Sequence, residues 1–168
     1  STNGLTSLDV SSNTDLELLD CFSNSLTSLD LSLNTSLNHL DCNTNSLASL
    51  DVRKNTVLTY LRCHENSLTA LNIGANTVLS RLECHSNSIT SLEVSANTGL
   101  TLLKCGNNSL TRLDVSTNTA LSFLDCSINS IESLDLRTNT ALTTLLCQYN
   151  SLAILDIKNS TNTRLASL

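Results

Sequence analysis

The sequence predicts a repeat solenoid, predominantly β, with little or no helix. Three observations carry that prediction. Cys21, Cys42, Cys63, Cys84, Cys105, Cys126 and Cys147 stand 21 residues apart without exception, in a chain of 168 residues that is eight times that period. A fixed period of this size marks stacked coils. Each period splits into two half-repeats, one built on Leu-x-Val and one on Leu-x-Cys, and both triplets have period 2. Their apolar side chains therefore point the same way from a short extended segment. Sustained helical spacing is lacking, and 21 residues leave little room for a helix beside a strand and two turns.

The elements follow in order along one coil, Leu-x-x-Leu-Asp-Val-Ser-x-Asn-Thr-x-Leu-x-x-Leu-x-Cys-x-x-Asn-Ser, starting at Leu5. The triplet Leu8-Asp9-Val10 and its equivalents predict a first short strand. Asn13 to Asn139 recur at the first turn, each followed by Thr (Thr14 to Thr140). The triplet Leu19-Asp20-Cys21 and its equivalents predict a second strand. Asn24 to Asn150 recur at the second turn, each followed by Ser. Asn with Ser or Thr marks turns because these side chains bond to nearby backbone. The Leu8 and Leu19 columns never vary. Each coil offers about six apolar side chains to the interior, worth roughly 1.5–3 kcal/mol each before entropy. One coil cannot cover its own apolar face, so stacking is required.

The segment Leu16 to Leu26, Leu-Glu-Leu-Leu-Asp-Cys-Phe-Ser-Asn-Ser-Leu, resembles the core consensus of the leucine-rich repeat. The 21-residue length and the core Cys are similar to bacterial surface leucine-rich repeats, above all the cysteine-ladder internalin-like proteins. The resemblance spans almost the whole chain in seven in-phase copies. It implies a curved right-handed superhelix with a parallel sheet on its concave face and a short strand or extended segment on the convex side. It also implies recognition or adhesion at a bacterial cell surface or outside the cell. The expected organisation is one domain over residues 1–168, with an irregular, truncated last repeat at 158–164. No family N-terminal cap, downstream domain, signal peptide or starting Met is recognisable. The chain is therefore expected to be a mature domain or a piece of a longer array, with end-to-end self-association through Leu5 and Leu168 as the alternative.

Composition narrows the function classes. Net charge is −6, with 9 basic and 15 acidic residues, which disfavours nonspecific nucleic-acid binding. No apolar run approaches the roughly 18 residues of a membrane span. Every Cys is a core position, and the four Gly are scattered, so neither a thiol nucleophile nor a phosphate loop is expected. The sequence therefore predicts no enzyme and no cofactor. Seven Cys cannot pair completely, and parallel Cβ vectors one strand spacing apart suit disulfides poorly, so free apolar thiols are expected. An outward acidic column, Asp9, Asp30, Asp51, Asn72, Glu93, Asp114, Asp135 and Asp156, lies near Arg53, Arg112, Arg137 and Lys158. It predicts a solvated face with local turn bonding, a calcium-binding row being the alternative.

Between the two strands, variation falls on the outward positions of the Cys half-repeat, whereas those of the Val half-repeat are monotonous. All three histidines and all four aromatics fall there: Phe22, His39, Tyr60, His64, His85, Phe123 and Tyr149. Arg62, Arg81, Leu102 and Lys104 join them, flanked by Asp20, Asp41 and Asp125. A scaffold that varies one face is displaying it, and aromatics and Arg anchor interfaces. These eleven residues are the expected binding surface for a protein or glycan. His64 and His85 are placed to approach each other, but without a third ligand they predict no metal site. The Thr14 to Thr140 row raises ice binding as a further alternative, although the neighbouring Ser12, Leu33, Lys54, Ala75, Ala96, Thr117 and Thr138 column is irregular.

Overall fold

The computed structural model describes residues 3–157, which form a parallel β-solenoid. The Cys half-repeat supplies one three-residue strand per coil: β1 (Leu18–Asp20), β2 (His39–Asp41), β3 (Tyr60–Arg62), β4 (Arg81–Glu83), β5 (Leu102–Lys104), β6 (Phe123–Asp125) and β8 (Thr144–Leu146). They make one seven-stranded sheet in the order β1-β2-β3-β4-β5-β6-β8. Every pairing is parallel and offset by 21 residues, as in Leu61 opposite Leu82. No helix occurs among the described residues. The irregular 158–164 segment and Leu168 lie outside them.

The Val half-repeat departs from the expected strand. Among the described residues it forms strands only at β7 (Ser133–Asp135) and β9 (Ile154–Asp156), which pair with each other. In the other coils it is extended chain without a ladder. The physical reason is where the coil-to-coil bonds lie. On the Cys side they continue past the strand, from Cys21 N to Asp41 O (2.9 Å), Ser23 N to Asn43 O (3.0 Å) and Asn24 N to Thr44 O (3.2 Å). On the Val side they are sparse, one per coil near its start, as from Ser46 N to Leu26 O (2.9 Å).

The core is the stacked Leu, Val, Ile and Cys columns, nearly all fully buried. The seven cysteines are free and buried. Burial pushes the Cys84 and Cys126 thiols up to about 12, so none of that pair is a thiolate near neutral pH.

The two Asn ladders differ. In the second, Asn87 Nδ2 donates to Cys63 O, Cys84 O and His85 O at 3.1–3.3 Å, and its Oδ1 accepts Leu68 N at 2.9 Å. In the first, Asn76 Nδ2 donates to Val52 O (2.9 Å) and Asn55 O (2.8 Å), but its Oδ1 is buried without a protein partner. The same holds for Asn34, Asn55, Asn97, Asn118 and Asn139. Full satisfaction of the buried amides is therefore met in one ladder and only on the donor side in the other.

Candidate functional site

The acidic column is a set of turn caps. Asp9, Asp30, Asp51, Glu93, Asp114 and Asp135 each accept the backbone N–H two residues on, at 2.9–3.0 Å. Arg53 and Arg137 also grip Asp51 and Asp135 through their guanidinium groups, at 2.7 and 2.6 Å. Those hydrogen bonds hold both carboxyls down to about 2. This is the local turn bonding expected from the sequence.

The varied face is the outer surface of the seven-stranded sheet. Side chains at i and i+2 of a strand share a face, and the 21-residue register sets equivalent positions side by side. His39, Tyr60, Arg81, Leu102 and Phe123 open their strands in adjacent register. The His39 and Tyr60 rings stack, with centroids 4.1 Å apart and planes 7° from parallel. The Arg81 guanidinium lies over the Tyr60 ring of that stack, 5.5 Å from its centroid. Lys104 Nζ lies 5.8 Å from the Phe123 centroid. Both cation distances fall within reach of the ring quadrupole.

Charges close the middle of the face. Arg62 Nη1 meets Asp41 Oδ2 at 3.0 Å, and Lys104 Nζ meets Glu83 Oε2 at 3.1 Å. Arg62 Nε sits 3.8 Å from Glu83 Oε1. Asp41 and Glu83 are only 4% and 5% exposed. Burial raises the Glu83 pKa, but the Lys104 hydrogen bond and the Lys104 and Arg62 charges outweigh it, and the net shift is downward. His64 and His85 stack at 4.3 Å, with planes 20° apart. Burial lowers the pKa of both.

Nine of the eleven expected residues thus form one tract running from His39 to Phe123. Phe22 and Tyr149 stand apart from its ring and ion-pair contacts, and Tyr149 is 78% exposed. The residue that sequence reasoning passed over is Glu83. Its signal was available, since Glu83 and His85 are two apart on one strand line and His64 lies one register away from His85.

No family model and no curated protein matches the chain. Among solved structures, the functional domain of InlJ from Listeria monocytogenes, which includes a cysteine ladder, is 33% identical with a TM-score of 0.55, over 95% of this chain and 50% of that one. The fold is a leucine-rich-repeat solenoid. A leucine-rich-repeat protein of Leptospira interrogans superposes on it with a TM-score of 0.80 at 23% identity, over 94% of this chain and 47% of that one. The leucine-rich effector YopM from Yersinia pestis gives 0.78 at 27% identity, over 93% of this chain and 43% of that one. This leucine-rich-repeat chain therefore spans about half the length of the solved structures it resembles. The internalin-like resemblance drawn from the cysteine spacing is the one the structures return.

Proposed function

We propose that this leucine-rich-repeat chain is a non-enzymatic recognition module that binds a protein ligand through the outer face of its seven-stranded sheet. The observation that carries the reading is the tract from His39 to Phe123. It collects stacked rings, Arg81 and a charged centre on a scaffold whose inward columns scarcely vary. The side chains are already held by one another, which lowers the ordering cost of binding. The buried thiols, with pKa values pushed up, support the absence of nucleophilic catalysis. They also suit an extracellular or bacterial-surface setting, because burial shields them from oxidation. No helix among the described residues is long and apolar enough to cross a membrane.

The test is a variant with Tyr60, Arg81 and Phe123 changed to Ser and every inward column kept. Both proteins would be immobilised and presented with extracellular host proteins and a glycan panel, after matching their circular dichroism and melting. A protein ligand retained by the original and lost by the variant supports the reading. A glycan retained instead transfers it to carbohydrate, and equal behaviour of the two proteins removes the face from function. The exposed Thr row favours ice binding as a second reading, which the absence of thermal hysteresis would end.

A further inference from the structure

We propose that His64, Glu83 and His85 form a binding site for a divalent transition-metal ion of the zinc class. One potential ligand atom from each lies within 4.8 Å of the other two. Two imidazoles and a carboxylate are a zinc donor set that leaves a fourth position open. The site does not depend on the recognition reading, since a metal ion can be bound whether or not the face meets a partner.

A second observation points into the same place. His64 is 7% exposed, and its Nδ1 is buried without a hydrogen-bond partner. A buried polar atom left unpaired carries a desolvation cost that a ligand would relieve. The neighbours are arranged as supports for ligands. His85 Nδ1 lies 3.2 Å from Ser86 Oγ, and when it donates there Nε2 presents its lone pair. Lys104 Nζ occupies Glu83 Oε2 at 3.1 Å, so Oε1, which has only the longer 3.8 Å approach of Arg62 Nε, is the oxygen offered to an ion.

The charge balance is favourable. Arg62 and Lys104 contribute two positive charges, and Asp41, Glu65, Glu83 and Asp125 contribute four negative ones, so the surroundings carry a net −2. Arg62 is drawn aside by Asp41 at 3.0 Å. Geometry asks for a small closure. Tetrahedral bonds of about 2.0–2.1 Å set ligand atoms about 3.4 Å apart, so the three side chains must converge by about 1–1.5 Å. The stacked imidazoles reach this by tilting out of parallel.

The test uses the whole chain, stripped with a chelator and titrated with Zn2+ by calorimetry and with Co2+ by visible spectroscopy. The expected result is one ion per chain, with d–d bands of nitrogen and oxygen ligation and no thiolate charge-transfer band. His85→Asn, at a half-buried position, should weaken binding by at least ~10-fold, within the range that disturbed metal sites show. Glu83→Gln should weaken it similarly, and Tyr60→Ala should leave it unchanged. Should Glu83→Gln fail to fold once its pairing with Lys104 is lost, His85→Asn decides the matter. No Zn2+ binding, binding unchanged in His85→Asn, or cobalt carried by cysteine would each overturn the site.

Discussion

Among the described residues, seven that carry side chains sit in a backbone region that L-residues avoid. Ser23, Thr44, Glu65, Ser86, Asn107, Ile128 and Tyr149 all have φ between 51° and 57°. They occupy the position just before the second Asn ladder, where the chain leaves the sheet and turns. The turn demands the left-handed conformation in every coil, whatever residue is there. Asn107 is at ease with it, whereas a β-branched residue pays the full steric cost. Ile128 is also 49% exposed, so its side chain returns little burial. Ile128→Asn is expected to raise stability by about 1 kcal/mol, read as a higher urea midpoint with unchanged slope. An equal or lower midpoint would show that Ile128 packing outweighs its backbone strain.

At the level of the turn elements, the two Asn ladders separate two roles that the sequence writes with one letter. Asn87 accepts the Leu68 N–H through its Oδ1 and also caps three carbonyls. Removing it orphans a donor. Asn76 serves two carbonyls that have other donors, since Asn55 N reaches Val52 O and Leu58 N reaches Asn55 O. Its own Oδ1 is unpaired, so deleting the amide also deletes a buried cost. Asn87→Ala is therefore expected to destabilise by at least about 2 kcal/mol and by more than Asn76→Ala. Denaturant unfolding of the two variants under one condition checks the order, and the reverse order would refute the assignment of roles.

Across the whole molecule, stability is carried from coil to coil, because each coil touches only its neighbours. Leu82 in β4 is fully buried between coils on both sides, whereas Leu19 in β1 is half-buried with one described neighbour. Leu82→Ala is expected to cost about 2–5 kcal/mol, and Leu19→Ala clearly less. Equal costs, measured by denaturant titration, would mean that the stack does not behave as a nearest-neighbour sum. The same one-dimensional architecture explains the face. Because register is constant, neighbouring coils line up equivalent positions, and a tract of rings and charges grows from residues 21 apart.

The periodic columns made most of this legible without coordinates. Unvarying Leu and Cys at period 2 require extended, inward-facing chain, and a constant 21-residue spacing requires stacking in register. The free buried thiols, the sheet on the Cys side and the nine clustered residues of the varied face follow from those two facts. Periodicity reports which way a side chain points, but not how closely two coils approach. It could not tell that the Val half-repeat would pair only at β7 and β9, because that depends on where the coil-to-coil hydrogen bonds fall. Nor could it separate a satisfied Asn ladder from a half-satisfied one. The meeting of Glu83 with His64 and His85 belongs to the same class: the columns put them on one face, and three-dimensional packing brought their donor atoms together.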